Sequence, residues 1–321
     1  MRSTCSLYID VGYLLASAAT RVTGTSLRGG INVDYSALIR SLIATAEAAS
    51  GLPVLRVYWY DSARNGIPDM RQERIGELPK VKLRIGRFGF NGEQKGVDLR
   101  IGLDLVAHAR NGTSDVFFLV SGDDDLTEAV EQAQVHGVQV VVLAVPTAKG
   151  EPHGVSRHLI RASDEIDVID AAIIDDSVLK VVPLPAPASP PAPEPVPAAR
   201  PAFKTPLDVA ARAQVPAAPR PTSVLAYSCS TGSSGQVLPG YDRDNSEDDT
   251  LIDAVVLRVL VSFRESATDA EKLELERARP SIPPDVDRAL LLDASVVLQK
   301  YDLDEDSRYR LRARFWEKYD E

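Results

Sequence analysis

The apolar positions of the first 180 residues fall into short continuous runs separated by longer segments of helical periodicity. The runs have the length of buried strands and lie at residues 5–10, 54–60, 81–86, 115–120 and 138–144. The segments with helical spacing lie at residues 33–50, 70–78, 97–110 and 126–136. Strands that are apolar on both faces and alternate with helices are typical of a parallel sheet covered on both sides. The pattern predicts an α/β domain over residues 1–180, completed by a short strand near 166–169 and a helix near 170–180.

Residues 181–249 have a different composition. Thirteen prolines lie between residues 183 and 221, interleaved with alanine, and the segment that follows is rich in Ser, Gly and acidic residues. Such a segment cannot bury enough apolar surface to offset its ordering entropy, so the sequence predicts a disordered linker. Helical periodicity returns in residues 250–321, at 251–263, 268–279, 285–300 and 304–319. We expect these segments to form a small α-helical unit.

The charge of the chain bears on the partners it can bind. The formal net charge is −10 and the sequence pI is near 5.0, which on average disfavours a polyanionic partner. Residues 71–110 are nonetheless locally basic, with nine Lys and Arg against five acidic residues. The net charge therefore does not exclude a nucleic-acid substrate.

Cysteine usage and the length of the apolar runs exclude several classes of protein. Cys5 and Cys229 are the two cysteines of the chain, too few for a disulfide framework or a thiolate zinc cluster. Asp10 interrupts the N-terminal apolar run, which makes that run too short for a signal peptide. The run 138–145 is strand-sized and cannot cross a bilayer. We therefore expect a cytoplasmic protein with no membrane segment.

Aspartates stand where the predicted strands end or a predicted helix begins. Asp10 comes directly after the run 7–9, Asp61 ends the run 54–60, and Asp98 follows Lys95-Gly96-Val97. Asp123 and Asp125 close the run 116–122. The carboxyl ends of parallel strands meet at one edge of a sheet, which is where ligand crevices form. A carboxylate at the end of a buried strand is costly without a cation, so the pattern predicts a shared metal site.

Each aspartate also has a simpler explanation. Asp123 and Asp125 precede a predicted helix, and one of them could cap it. Asp98 could be a surface acid in the first turn of helix 97–110, and Asp10 could stabilise a turn. Capping does not account for three consecutive acids at 123–125, whose mutual repulsion would raise their pKa values unless a cation lay among them. The residues alone leave both interpretations open.

Four other residues are candidates for contacting a substrate. Lys95 and the glycines before Asp98 would let an ammonium group and the backbone approach a phosphate. Tyr13 could pack in the core, donate its hydroxyl to a ligand or offer a stacking surface. Ser121 could cap the next helix or donate to a phosphate oxygen. Arg100 belongs to the basic stretch, which could attract a single-stranded nucleic acid or form a solvated face.

Two further sets of side chains could do chemistry elsewhere. The four histidines, at positions 108, 136, 153 and 158, have no motif that would activate them, so we expect structural or surface roles. The last helix carries alternating arginines at 308, 310, 312 and 314, which could bind nucleic acid. Acidic neighbours on that helix make intramolecular salt bridges the favoured interpretation.

Three motifs together resemble a known family. They are Tyr8-Ile9-Asp10-Val11-Gly12-Tyr13, Lys95-Gly96-Val97-Asp98, and Val120-Ser121-Gly122-Asp123-Asp124-Asp125. In their order and spacing, over about residues 5–170, they are similar to the NYN domain family of PIN-like nucleases. The resemblance implies a PIN-like three-layer α/β/α sandwich whose acidic pocket holds Mg²⁺ or Mn²⁺ and hydrolyses RNA. It assigns metal binding and catalysis to Asp10, Asp98, Asp123 and Asp125.

The chain departs from the family at position 13, where many members have asparagine in place of Tyr13. This departure bears on substrate positioning rather than on metal binding. The leading hypothesis is a metal-dependent endoribonuclease that hydrolyses phosphodiester bonds of single-stranded or exposed RNA.

Two other functions remain open on the sequence. The first is a non-catalytic RNA- or protein-binding regulatory scaffold, whose C-terminal helices recruit a protein partner or self-associate. The second is a phosphatase, since aspartates at strand ends also serve phosphoryl transfer. Such phosphatases commonly carry a second aspartate two residues after the first, where this chain has Gly12.

Overall fold

The computed structural model describes residues 3–63, 66–88, 94–181, 246–300 and 303–321. One sheet contains seven strands: β1 Cys5–Asp10, β3 Val54–Ala63, β4 Val81–Phe88, β5 Gln94–Lys95, β6 Val116–Val120, β7 Gln139–Ala144 and β8 Glu165–Val168. Two short strands, β2 Ile31–Val33 and β9 Val178–Lys180, form a separate antiparallel pair. Each predicted strand corresponds to one of the strands of the large sheet.

The described residues up to 181 contain seven α-helices: α1 Val11–Thr23, α2 Tyr35–Ser50, α3 Met70–Gly76, α4 Val97–Arg110, α5 Thr127–Val135, α6 Arg157–Ala162 and α7 Ala171–Ser177. The predicted helices correspond to α2, α3, α4, α5 and α7. Helices α1 and α6 were not predicted. The apolar residues Val11, Leu14, Leu15 and Ala18 recur at helical spacing on the buried side of α1, so a signal was present and sequence analysis overlooked it.

The sheet order is β5-β4-β3-β1-β6-β7-β8, with six parallel strands and an antiparallel β5 at one edge. The chain adds β3 and β4 on one side of β1 and then returns to add β6, β7 and β8 on the other side. The strand order therefore reverses between β1 and β6, where Ile9 lies opposite Val120. Asp10 ends β1 and Ser121 follows β6 at this point, which is where open parallel sheets form their ligand crevice.

Helices cover both faces of the sheet, which confirms the predicted α/β/α sandwich. In β1, Leu7 and Ile9 pack into a core with residues of α1 and α2, whereas Tyr8 packs into a second core with residues of α4. This division follows from the alternation of side chains along a strand. The position of β1 in the middle of the sheet holds its last residue between two packed layers.

Two strand boundaries differ from the prediction. Strand β3 continues past Asp61 to Ala63, and the Asp61 carboxylate accepts a hydrogen bond of 2.7 Å from Gln72 Nε2. The prediction that Asp61 ends a strand was therefore wrong, because a side-chain amide of α3 satisfies its carboxylate within the strand. Strand β4 continues through Gly86, where a Cβ would lie 2.6 Å from Val97 Cγ2. Glycine at that position permits the start of α4 to pack on β4.

The C-terminal part forms the four predicted helices: α8 Ser246–Ser266, α9 Asp269–Ala278, α10 Pro284–Val297 and α11 Glu305–Asp320. Thr268 caps α9 through a reciprocal pair of hydrogen bonds with Glu271. The predicted intramolecular ion pairs of the last helix are also confirmed, since Arg310 pairs with Asp306 and Arg314 with Glu317 on α11 itself. Further pairs that were not predicted join α11 to α8 and α10: Arg310 with Asp249, Arg314 with Asp253 and Arg312 with Asp287.

The C-terminal helices pack against the N-terminal domain in one compact unit. Leu27, in the segment after α1, is 3% exposed and lies in the apolar core that the C-terminal helices build. Lys180 Nζ forms an ion pair of 2.8 Å with Glu265 at the end of α8. Because a side chain of the N-terminal domain completes this core, the division into separately folding domains stays a prediction.

Two sequence predictions concern the rest of the chain. The predicted linker, residues 181–249, lies outside the described residues except at its two ends. Within the part of the chain that the structure describes, every helix is too short or too polar to cross a bilayer.

Candidate functional site

Asp10 occupies the point where the strand order reverses. Its Oδ1 atom accepts hydrogen bonds from the backbone N–H groups of Gly12, at 2.8 Å, and Tyr13, at 3.3 Å, so Asp10 is the N-cap of α1. The hydroxyl of Ser121 donates to Oδ2 at 3.4 Å. Helix capping, the simpler explanation, is thus part of the role of Asp10. The same contacts fix the orientation of a buried carboxylate.

Asp98 and Asp123 lie in the same cavity as Asp10 but belong to other parts of the fold. Asp98 lies in the first turn of α4, and Asp123 precedes the 3₁₀ turn Asp124–Leu126 after β6. The Asp123 N–H donates to Ser121 Oγ at 3.2 Å. Asp10, Asp98 and Asp123 all line one cavity of about 800 Å³. The fold therefore brings together three carboxylates that are widely separated along the chain.

The carboxyl groups in this cavity destabilise each other's charged forms. Burial, and then the charge of Asp98, raise the pKa of Asp10 from 3.8 to about 6. Burial and the charges of Asp123 and Asp125 raise the pKa of Asp98, and burial together with Asp125 and Asp124 raises the pKa of Asp123. Among the described residues, no cation forms an ion pair with Asp10, Asp98 or Asp123. The site thus concentrates negative charge, which the hydrogen bonds to Asp10 and the charges of Arg28, on Asp10, and Arg288, on Asp98, offset only in part.

Asp125 lies differently from the other three aspartates. Its side chain is exposed and is not part of the cavity wall, although its charge acts on Asp98 and Asp123. Its neighbour Asp124 points elsewhere and accepts a hydrogen bond from the hydroxyl of Ser156, the N-cap of α6. Of the three consecutive acids, Asp123 therefore faces the cavity and Asp125 lies outside its wall.

Tyr13 uses its hydroxyl within the protein. The hydroxyl donates to the carbonyl oxygen of His153 at 2.6 Å and accepts from the N–H of Val145 at 3.2 Å. Its ring lies beside Gly122, where a Cβ would come within 2.1 Å of the carbonyl oxygen of Gly154. The glycine of the Ser121-Gly122-Asp123 motif is needed for this close approach of the 153–156 segment.

Three other predicted substrate-binding residues have different surroundings. Ser121 is fully buried, and its hydroxyl contacts Asp10 and the Asp123 backbone. Arg100 is exposed on α4 and donates to the carbonyl oxygen of Ile85 at 2.7 Å. The side chain of Lys95 lies outside what the structure describes. Ser121 and Arg100 are not among the residues that line the cavity, although the Ser121 hydroxyl contacts Asp10, which does line it.

Sequence analysis missed the basic residues of the cavity. Arg28, after α1, donates to the carbonyl oxygen of Gly12 at 3.1 Å, and Arg288, on α10, faces the same cavity. His153 also lines it, with Nδ1 3.1 Å from Ser17 Oγ, and burial lowers the pKa of its imidazole. Arg28 and Arg288 belong to segments that no sequence motif links to the acids.

The acidic residues suit a hard divalent cation in chemistry but not as a complete set of ligands. No group of three or more His, Cys, Asp or Glu side chains in the described ranges lies close enough to coordinate one ion. Mg²⁺ is commonly bound through one or two carboxylates, with water and substrate phosphate oxygens completing its shell. The oxygen-only donors and the raised pKa of buried Asp10 fit such a site.

Comparison with known proteins identifies the fold family. The model of the NYN domain matches residues 4–170, which is more than half of the chain. The chain belongs to the NYN domain family. This is a family of PIN-like nucleases, as the three aspartate motifs indicate, and the match ends before the C-terminal helices. Asp10, Asp98 and Asp123 therefore lie within the region that matches the NYN domain, whereas Arg288 lies outside that region.

A relative in Sinorhizobium fredii (strain NBRC 101917 / NGR234), described as "Uncharacterized protein y4oD", is 35% identical to this chain over 96 residues. The matched region is 30% of this chain and 45% of the relative, so the chain spans less than half of that relative's length. No solved structure matches the chain. The match shows that the two sequences are similar, but the description of the relative names no activity.

Proposed function

We propose that this NYN domain protein is a metal-dependent endoribonuclease that hydrolyses phosphodiester bonds of single-stranded RNA, with Mg²⁺ or Mn²⁺ as cofactor. The observation that carries the proposal is the meeting of Asp10, Asp98 and Asp123 in one cavity at the point where the strand order reverses. Membership of a nuclease family supports it independently.

Asp10 and Asp123 would hold the divalent ion, with Asp98 in the same cavity and Asp125 outside the cavity wall. When bound, such an ion supplies charge stabilisation to the scissile phosphate and acidifies water. The backbone N–H groups of Gly12 and Tyr13 hold Asp10 in a fixed orientation, so no reorganisation of that carboxylate is needed when substrate binds. Asp98, whose pKa is raised, would accept or donate a proton near the scissile bond.

The test combines metal binding with RNA cleavage. We expect Mn²⁺, titrated calorimetrically into the full chain, to bind wild type and to bind Asp123→Asn at least about tenfold more weakly, because one charged ligand is lost. Cleavage of a labelled single-stranded RNA should fall in parallel. Glu128→Gln removes an exposed acid from the first turn of α5, outside the cavity, and is the matched control.

Two results would count against the nuclease. The first is intact RNA after incubation of wild type with either metal at neutral pH. The second is equal cleavage by wild type, Asp10→Asn and Asp123→Asn, which would indicate a contaminating enzyme. Thermal melting of each variant in EDTA separates loss of the site from loss of the fold.

A second candidate function is a non-catalytic scaffold that binds RNA or a protein. The absence of three converging metal ligands among the described residues favours it. The C-terminal helices also expose apolar side chains, Leu257 at 48%, Val261 at 53% and Val296 at 61%, that could contact a partner or a second copy. Cleavage that disappears in Asp98→Asn would eliminate this candidate.

A further inference from the structure

The cavity that contains the acidic residues has one wall built by the C-terminal helices. Arg288, Leu292, Asp293 and Val296 of α10 line it together with Asp10, Asp98 and Asp123. The NYN domain alone, residues 4–170, does not include these residues. The site that the family motifs identify is thus bounded by a segment more than 100 residues beyond the domain.

Buried hydrogen bonds fix α10 in this position. Asp293 is buried and accepts from the N–H of Ser26 at 3.0 Å through Oδ1 and at 3.3 Å through Oδ2. The hydroxyl of Ser26 donates to the carbonyl oxygen of Ala289 at 3.4 Å. Leu27 follows directly and packs in the core of the C-terminal helices. Ser26 and Leu27 therefore attach α10 to the NYN domain. Arg28, which lines the cavity, is the next residue of the same segment.

This attachment brings two guanidinium groups to the acidic residues. Arg288 is half-buried, and its pKa is lowered by burial and by the positive charge of Arg28, with the charges of Asp285, Asp10 and Asp98 acting in the opposite direction. In the described part of the chain, no acceptor forms a hydrogen bond or ion pair with Arg288. The acids of the cavity offset part of the repulsion between Arg28 and Arg288, but Asp10 and Asp98 do so without a direct contact to Arg288.

An RNA phosphate can accept the hydrogen bonds that the Arg288 guanidinium does not make within the described part of the chain. A guanidinium donates two parallel hydrogen bonds to phosphate oxygens, and burial of the pair strengthens the contact. Arg288 acts electrostatically on Asp10 and Asp98 but pairs with neither, and all three residues line one cavity of about 800 Å³ that can hold a ligand.

We propose that Arg288, together with Arg28, binds a backbone phosphate of the RNA beside the acidic residues, so that the C-terminal helices supply part of the substrate site. This inference rests on the proposed nuclease function and assigns one of its substrate contacts. Arg288 is a substrate-binding residue in this scheme, and Asp293 is a positioning residue that acts by holding α10.

The experiment measures RNA binding apart from cleavage. The full chain is titrated in EDTA into a fluorescein-labelled 12-nucleotide oligouridine, and anisotropy gives Kd at several salt concentrations. We expect Arg288→Gln to raise Kd about tenfold, the loss typical of one charge-assisted contact. The slope of log Kd against log salt should fall by about 0.7, the value for one phosphate contact to a single strand.

Three further variants make the result specific. Arg288→Lys keeps the charge without the planar fork and should recover part of the affinity. Arg28→Gln should weaken binding in the same direction as Arg288→Gln. Arg277→Gln removes an exposed arginine of α9 that does not line the cavity, so its Kd and salt slope should equal those of wild type.

The outcomes separate this inference from the nuclease proposal. If wild type binds RNA and leaves it intact with Mn²⁺, the nuclease proposal fails, and the Arg288 variants still decide the phosphate contact. If wild type cleaves RNA but Arg288→Gln retains wild-type Kd and KM, the inference is overturned and the nuclease stands. Tighter binding or faster cleavage by Arg288→Gln would also overturn it, since Arg288 would then be a counter-ion that blocks the acids.

Discussion

The hydroxyl of Tyr13 and the carbonyl oxygen of His153, 140 residues apart in sequence, are joined by a hydrogen bond of 2.6 Å. The same hydroxyl accepts from the N–H of Val145. Sequence analysis left open whether Tyr13 packs in the core, donates to a ligand or stacks on a base. Its two backbone contacts give the hydroxyl a structural role at the side of the cavity.

Tyr13→Phe should therefore destabilise the protein more than it impairs cleavage. The variant leaves a carbonyl oxygen and an N–H group without their partner, which costs about 1–3 kcal/mol in free energy of unfolding. Urea denaturation measures this change, and Tyr309→Phe, at a side chain that is 72% exposed, is the control and should be neutral. A variant of wild-type stability with a much higher KM would assign the hydroxyl to the substrate instead.

Asp10→Asn should stabilise the metal-free protein at pH 8. Burial raises the pKa of Asp10 from 3.8 to about 6, so folding penalises its charged form. The penalty is fully present above pH 6, shrinks as the pH falls toward 3.8, and is absent below that value. A shift of about two units corresponds to ~3 kcal/mol, and asparagine caps helices as well as aspartate does.

The measurement is urea denaturation in EDTA at pH 8 and at pH 4.5. The gain in Asp10→Asn should be large at pH 8 and small at pH 4.5, whereas Asp34→Asn, at the exposed N-cap of α2, should show little change at either pH. Added Mg²⁺ should stabilise wild type and leave Asp10→Asn unaffected. A pH-independent difference would contradict the proposed cause.

Gly122→Ala should disrupt the approach of the 153–156 segment to the end of β6. An added Cβ would lie 2.1 Å from the carbonyl oxygen of Gly154, and backbone cannot move away as a flexible side chain can. We expect a loss of about 1–3 kcal/mol in unfolding free energy, together with weaker Mn²⁺ binding because Asp123 is adjacent. Gly29→Ala, where nothing lies within 4 Å of the new Cβ, should leave stability nearly unchanged.

Leu27→Ala tests whether the NYN domain and the C-terminal helices unfold together. Leu27 is buried in the core of the C-terminal helices, so truncation should cost about 2–5 kcal/mol. If the two parts form one cooperative unit, calorimetry should show a single transition that moves to lower temperature. Leu103→Ala, at a 61% exposed position of α4, should not move it. Two transitions, of which Leu27→Ala shifts neither, would show that the parts fold independently.

Most of the secondary structure could be predicted because each element carries its own local signal. Helix α4 spans the predicted residues 97–110, since Val97, Ile101 and Leu105 recur on one face after a glycine. Helix α1 carried a comparable signal at Val11, Leu14, Leu15 and Ala18, and sequence analysis overlooked it. The strand containing Asp61 was ended too early, because the partner of that carboxylate, Gln72, lies on a later helix.

The acidic half of the site could be predicted and the basic half could not. Asp10 and Asp123 follow strands, and the rule that parallel strands share one carboxyl edge places them together without knowledge of the structure. Arg288 reaches the cavity through contacts such as Ser26 with Asp293, 267 positions apart. A tertiary contact of that separation leaves no periodicity or spacing in a single sequence.

The burial of Leu27 among the C-terminal helices has a consequence for comparing NYN proteins. A chain that kept the domain and lost these helices would expose a leucine to water, with nothing to compensate for it. Selection should then replace it with a polar residue, and the serine before it would no longer need an aspartate as acceptor. The residue types at these two positions should therefore vary together with the presence or absence of the helical extension among relatives.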